Sequence, residues 1–382
     1  MSNIKYIGVN DHISDLFEGQ FKIPNGISYN SYVIIDEKIA IMDSVDVRFF
    51  DEWLGNISKV LGNKEPDYLV IHHMEPDHSS SIARFMAHFK NTIIVSSQKA
   101  FNMINGFFGT DFKNRQLVIG ENSTLSLGKS TLTFYTAPMV HWPEVTVSYL
   151  STGELFTADA FGRFGALDVD DSWACEARRY YFGIVGKYGM QVSSLLKKLS
   201  GLKIKGIYPL HGPVLSENLD YYLNLYDIWS SYKPESEGVF IPYTSVYGNT
   251  KNAVMLLKDE LIKLGCPKVS ICDLAREDFH EAIEDAFRYD RIVFATTTYN
   301  GGIFPYMKSF IDALTERGFK NRTVAFIENG SWVPVATKAM LKLFEGSSLT
   351  ILDTGVKILS SLNEESANQI KELARALCNK EN

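Results

Sequence analysis

Cysteine is scarce in this chain. Only Cys175, Cys266, Cys272 and Cys378 occur among 382 residues, and no two stand in a C-x-x-C arrangement. A structural zinc ribbon, an iron–sulfur cluster and an appended rubredoxin each need paired cysteines, so none of the three is expected. The four thiols read instead as small buried hydrophobes. Long apolar runs are missing too: no segment reaches the length of a membrane span. The opening MSNIKYIGVNDHISDLFEGQ lacks a basic stretch followed by an apolar core and a small-residue cleavage site. A soluble, cytoplasmic protein is the expectation. Positive charge is not in excess, with 38 Lys and Arg against 45 Asp and Glu and a net charge of -7. That balance argues against a nucleic-acid partner, which would need a basic face. Neither G-x-x-x-x-G-K-[ST] nor G-x-G-x-x-G occurs, so a nucleoside triphosphate and the dinucleotide fingerprint are both unindicated. Internal repeats and low-complexity tracts are absent as well.

What is present is an ordinary globular composition, 45% hydrophobic and 22% charged, in a length suited to two domains. Up to about residue 230 the pattern is strand-rich. Residues 31–36 and 38–43 read as a hairpin, followed by apolar runs at 68–71, 92–95, 131–135 and 145–150. Between them, Phe50, Leu54, Ile57 and Leu61 recur at helical spacing over 49–61. This grammar predicts a layered α/β sandwich. The polar stretch from Trp229 to Val239, with Pro234 and Gly238, reads as a linker. Beyond it, strands at 239–243, 269–274, 292–295, 324–327 and 349–354 alternate with helices. Such alternation predicts a parallel, doubly wound sheet covered on both faces. The expected domains are residues 1–232 and 238–382.

The strongest local signal is His72-His-Met-Glu-Pro-Asp-His78, placed where the apolar run 68–71 ends. His73, Glu75, Asp77 and His78 offer four potential ligands within six residues. Gathered at the edge of a core without a cation, they would carry a large desolvation cost. His141 follows the run 131–135, Asp159 follows a short apolar run, and His211 ends another before Gly212 and Pro213. Each alone is more often structural. The repeated design of strand, ligand and Gly or Pro turn makes the joint reading much stronger. Seven imidazole and carboxylate ligands exceed one tetrahedral site and fit two metals with one bridging carboxylate. Zinc, iron and manganese all suit that donor set.

In the second half, the first strand runs into Thr244, Ser245, Val246, Tyr247, Gly248, Asn249 and Thr250 just before a helix. Hydroxyl, amide and glycine residues at a helix N-terminus supply donors for a phosphate held without a cation. A mononucleotide, FMN, is the better match. Thr298, Tyr299, Asn300, Gly301 and Gly302 follow the third strand, and Asn329, Gly330, Ser331 and Trp332 follow the fourth. Both lie at carboxyl ends of parallel strands, where open sheets bind ligands. Tyr299 and Trp332 offer flat faces for an isoalloxazine ring.

With these residues in view, the chain resembles the flavodiiron proteins, also called A-type flavoproteins, over essentially its whole length. The resemblance implies a metallo-β-lactamase-like αββα sandwich followed by a flavodoxin-like domain. It implies that His73, Glu75 and His141 bind one iron, that Asp77, His78 and His211 bind the other, and that Asp159 bridges them. His72 lies outside the pattern and is read as supporting its strand, and no catalytic residue is expected beyond the ligands. The phosphate loop then matches Ser245 to Thr250, and the ring-binding segments match Thr298–Gly302 and Asn329–Trp332. The stretch between Asp159 and His211 is shorter than the family leads one to expect, so Trp173, Tyr180 and Tyr181 are candidates to reshape the pocket over the metals.

The implied activity is transfer of electrons from FMN to the diiron site, which reduces dioxygen to water, nitric oxide to nitrous oxide, or both. The implied assembly is a head-to-tail homodimer or dimer of dimers. Electrons would come from an external donor such as rubredoxin or a reduced deazaflavin. An alternative class is a binuclear hydrolase of the metallo-β-lactamase type with a regulatory flavodoxin-like half. Glu75 argues against it, because the hydrolase loop usually has histidine there, and a flavin has no role in hydrolysis. A third class, a non-catalytic electron carrier or gas sensor, would reduce its flavin reversibly but consume neither gas.

Overall fold

Alternation of side chains along the strands sets the layers. Tyr32, Ile34, Ala40 and Met42 face one way into a core shared with Leu132, Phe134, Leu150 and Phe156. Val33, Ile39 and Ile41 face the other way, against helix residues such as Trp53, Ile57, Phe85 and Ile104. This period of two places one sheet between a second sheet and a layer of helices. The computed structural model describes residues 3–379, and the chain divides into two compact units between Asp227 and Ile228.

In the first unit, one sheet has the order β1 (Ile4–Tyr6), β2 (Tyr32–Ile35), β3 (Ile39–Met42), β4 (Tyr68–Val70), β5 (Ile93–Ser97) and β6 (Gln116–Ile119). β2 and β3 form the expected hairpin, in register Tyr32 to Met42, and β3 to β6 run parallel. The helix Phe50–Leu61 buries Phe50, Trp53, Ile57 and Leu61, and carries Asp51 and Glu52 in its first turn, where the helix dipole favours anions. The second sheet has the order β7 (Thr124–Ser126), β8 (Thr131–Thr136), β9 (Thr146–Leu150), β10 (Glu154–Phe156) and β11 (Gly206–Tyr208). β8 and β10 each pair antiparallel with β9, and β11 pairs parallel with β10. The carboxyl ends of β8, β10 and β11 therefore share one edge.

Between Asp159 and His211 the chain forms a helix Trp173–Tyr180, a π turn Tyr181–Val185, a 3-10 turn Gly186–Tyr188 and a second helix Gly189–Leu199. Tyr180 and Tyr181 are fully buried.

The second unit holds a parallel sheet in the order β13 (Val269–Asp273), β12 (Ser236–Tyr243), β14 (Tyr289–Tyr299), β16 (Thr323–Asn329), with β17 (Thr350–Ile351) and β18 (Val356–Ile358) beyond. The strand order 2-1-3-4-5 is that of flavodoxin-like sheets, and its direction reverses between β12 and β14. Val239, Ile241 and Tyr243 pack under the helices Asn249–Lys263 and Glu364–Cys378.

Four sequence expectations need correction. The stretch read as a linker gives up its last residues to β12, which starts at Ser236. The run 292–295 extends to Tyr299 and turns back through β15 (Gly302–Ile303), pairing antiparallel with Thr298 and Tyr299. Asn300 and Gly301 both have positive φ, 49° and 71°, as a two-residue hairpin turn of the Asn-Gly kind requires. The run 349–354 is a strand only at Thr350–Ile351, and pairing with β16 resumes at Val356. Of the four thiols only Cys272 is buried; Cys175 is exposed, and Cys266 and Cys378 lie between.

Candidate metal centre and flavin groove

Each expected ligand sits just past a strand end. Glu75 occupies the N-cap position of the short helix Pro76–Ser79, whose first turn carries Asp77 and His78. His141 lies between β8 and β9, Asp159 follows β10, and His211 follows β11. Backbone bonds tie these segments together: Leu210 N–H donates to Ala158 O at 2.9 Å, and Ser44 Oγ donates to His78 O at 2.6 Å. Asn30 Nδ2 donates to Pro209 O at 2.9 Å and to Gly212 O at 2.7 Å. Gly212 has φ +79°, and a Cβ there would lie 2.6 Å from Arg163 Cγ. Only glycine suits that turn.

The seven side chains gather into two groups, His73, Glu75, His141 and Asp159 in one, Asp77, His78 and His211 in the other. Asp159 faces both. Its Oδ2 lies 3.4 Å from His73 Nε2 and 3.0 Å from His141 Nε2, while its Oδ1 lies 3.3 Å from His78 Nε2 and 3.7 Å from His211 Nε2. One carboxylate thus presents a separate oxygen to each group.

Residues the sequence did not single out hold the ligands in place. His73 Nδ1–H donates to Glu144 Oε1 at 2.8 Å, and Met74 N–H donates to the same oxygen at 2.8 Å. His211 Nδ1–H donates to Ser28 O at 2.7 Å, which leaves its Nε2 lone pair facing inward. His72 is outside both groups, as expected, with Nδ1 on Asp43 at 2.5 Å and Nε2 on Ser148 at 2.8 Å. The Tyr180 ring packs 5.4 Å from that of His211, and its buried hydroxyl has no hydrogen-bond partner. Glu18 stands near Glu75 at the rim, and the two carboxyls raise the cost of a second negative charge there.

The second unit carries a groove of about 280 Å³ at the carboxyl ends of β12, β14 and β16. Eleven of the sixteen residues expected to contact flavin line it: Ser245, Val246, Tyr247, Asn249, Thr250, Thr298, Tyr299, Asn329, Gly330, Ser331 and Trp332. The other five do not. The Thr244 hydroxyl bonds that of Thr296 at 2.7 Å, Gly248 shapes the turn with φ +92°, and Asn300, Gly301 and Gly302 belong to the β14–β15 hairpin. Thr297, Val333 and Ser360 also line the groove. Ser360 comes from far along the chain and has φ +70°, and its carbonyl accepts from Asn329 Nδ2 at 3.1 Å. Trp332 is 86% exposed and Tyr247 93%, leaving flat aromatic faces open at the rim.

Comparison with known proteins agrees with this geometry. A family model described as ODP family beta lactamase matches residues 27–212, and a flavodoxin-domain model matches residues 240–341. An anaerobic nitric oxide reductase flavorubredoxin of Escherichia coli is 29% identical over 346 residues, 87% of this chain and 71% of that protein. The structures of rubredoxin oxygen:oxidoreductase from Desulfovibrio gigas and of the flavodiiron protein from Giardia intestinalis each superpose with a TM-score of 0.90. Each is 25% identical and covers 98% of this chain and 96% of its own. The chain belongs to the flavodiiron proteins. It is an oxidoreductase of that family, with FMN and two irons as cofactors.

Both sites fit the flavodiiron cofactors. Both oxygens of Asp77 and Oδ1 of Asp159 are buried without a hydrogen bond, as anionic oxygens that face cations would be. His78 Nε2 and His211 Nε2 stand 3.0 Å apart, a placement that a shared cation explains. In the groove, the buried Thr297 hydroxyl lacks a partner, so a polar ligand would satisfy it.

Electrostatics carry the same message. Burial pushes the His73 imidazole down, but Asp159, Glu144 and Glu75 outweigh it and hold its pKa well above the ordinary value. His141 is likewise disfavoured by burial yet raised to about 9 by Asp159 and Glu75. Burial pushes Asp159 and Glu75 up, and the surrounding imidazoles overcome it and hold both low. The carboxylates demand positive charge, which protons supply on the imidazoles until metals displace them.

Among the described residues no helix is long and apolar enough to cross a membrane.

Proposed function

We propose that this chain passes electrons from bound FMN to a diiron site that reduces dioxygen to water, nitric oxide to nitrous oxide, or both. The observation that carries the reading is Asp159, with one oxygen toward each imidazole group. His73, Glu75 and His141 would hold one iron and Asp77, His78 and His211 the other, with Asp159 offering an oxygen to each. When bound, FMN would supply single electrons from a two-electron store, and the irons would pass them to a diatomic gas.

The chain's own groups orient and exclude. Tyr180, buried beside His211, offers a hydroxyl to the metal pocket. Phe17 and Phe164 pack around that ring and keep water out. Dioxygen reduction consumes four protons with four electrons, and coupling two nitric oxides consumes two of each. The Glu18 carboxyl is raised to about 7 by burial and by Glu75, and from the rim it can hold a proton for the pocket. In the flavin half, Ser245 to Thr250 take the phosphate, while Tyr299 and Asn329–Trp332 take the ring. The unit that ends at Asp227 then forms the metal domain, and the unit that begins at Ile228 forms the flavin domain.

The protein works in the cytoplasm as a head-to-tail homodimer or dimer of dimers, fed by a rubredoxin or a reduced deazaflavin. The relatives' own names supply the gases and suggest rubredoxin. Anaerobic stopped-flow oxidation of the reduced, iron-loaded protein by each gas tests the reading. Rapid reoxidation of flavin and iron by at least one gas is expected. A protein that holds two zincs, cleaves esters or lactams and ignores both gases would sink it. Dilution to monomer should abolish turnover while FMN stays bound; undiminished activity would exclude the head-to-tail arrangement.

A further inference from the structure

Within the ligand groups the charge is balanced. Each metal position has two imidazoles, one carboxylate of its own (Glu75 or Asp77) and one oxygen of Asp159. The atoms behind the ligands are not balanced. Behind His73 stands Glu144, buried and accepting from His73 Nδ1–H and the Met74 amide, each at 2.8 Å. Behind His211 stands only the neutral carbonyl of Ser28 at 2.7 Å, and His78 Nδ1 has no hydrogen-bond partner. Asp11 approaches the His78–His211 side through the Tyr29 hydroxyl at 3.1 Å, but Arg48 pairs with it at 3.1 Å. Arg163, whose side chain lies against Gly212, adds a buried cation beside His211. Glu18, near Glu75, adds a carboxyl on the other side.

An imidazole that donates Nδ1–H to a carboxylate is a stronger donor at Nε2 and brings a full negative charge near its metal, which favours a trivalent over a divalent ion. We propose that Glu144 is a positioning residue that makes the two irons unequal, so that the iron held by His73, Glu75 and His141 is the one more readily oxidised. The proposal rests on the seven-ligand reading above, and it assigns an order to two positions that the ligand types alone leave equivalent.

The test uses the FMN-replete protein loaded with iron-57, as wild type and as Glu144→Gln. Glutamine keeps an acceptor oxygen for His73 and Met74 and removes only the charge. Mössbauer spectra taken through a redox titration of the wild type should show two separable one-electron steps, with one iron ferric at the midpoint. Glu144→Gln should retain two irons and one FMN while the steps draw together. A tenfold loss of ferric preference corresponds to about 59 mV. Steps unchanged in the variant, or two irons that titrate together in the wild type, would overturn the proposal. Position is read separately, from iron-edge anomalous density in wild-type crystals loaded with one ferric equivalent. The peak should lie among His73, Glu75 and His141, and equal peaks or a peak beside His211 would contradict it. A wild-type protein that binds no iron overturns the seven-ligand reading itself, an outcome distinct from two equal irons.

Discussion

Asp159→Asn is the most informative single change. It preserves shape and removes the one charge that both metal positions share. The wild-type oxygens lie between 3.0 and 3.7 Å from four imidazole nitrogens, and the side chain is fully buried, so solvent cannot replace it. Removing one partner from a buried, paired charge cluster costs about 3–5 kcal/mol. Expressed as metal affinity, that is about two to four orders of magnitude. The assay is iron and FMN content after dialysis against a chelator that leaves the wild type loaded. The variant should lose one or both irons while its flavin spectrum and FMN stoichiometry stay intact. Two irons retained through that dialysis would show that Asp159 does not bridge. Loss of FMN together with iron would refute the division of labour between the two units.

Trp332→Ala should weaken FMN binding about tenfold without stripping iron, since it removes one aromatic face of the groove; fluorescence titration of the apoflavin protein measures it. Gly212→Ala should lower the melting temperature, because a positive φ and a Cβ 2.6 Å from Arg163 Cγ together cost about 1–3 kcal/mol. The metal-free protein should lose stability as pH rises. His141 is raised to about 9, so its contribution is complete below its unfolded value near 6.5 and vanishes as pH passes 9, a change of about 3 kcal/mol. Thermal melts at pH 6, 7.5 and 9 read this directly, and a melting temperature that climbs over that range would contradict it. In the iron-loaded protein the trend at low pH should reverse, because acid protonates the ligands and releases metal.

The candidate ligands were legible because imidazoles and carboxylates at strand ends are costly unless something uses them, and seven of them recur with one design. Their supports were not. Glu144 lies three residues past His141, and nothing in the sequence marks it as the partner of His73. Ser28 acts through a backbone carbonyl that its side chain does not announce. Tyr180 is the exception: the short segment between the last two ligands marks it as a pocket residue, although its contact with His211 follows only from tertiary packing. In the second unit the parallel sheet follows from alternation, but its strand order does not, and the Asn-Gly pair at 300–301 marks a hairpin rather than a ring contact. Residues 349–354 have the apolar content of one strand, and that content cannot show where pairing with β16 breaks off. Ser360 joins the groove from outside every loop adjacent to the phosphate or ring segments. The thiols were expected inside on residue type alone, and neighbours decided otherwise for three of them.

Iron-edge anomalous diffraction from freshly purified crystals, with FMN quantified in the same preparation, addresses the central claim most directly. Two iron peaks per chain, one against each oxygen of Asp159, and one FMN per chain are the predicted result. A colourless protein, a single metal, or zinc in both positions would contradict the account.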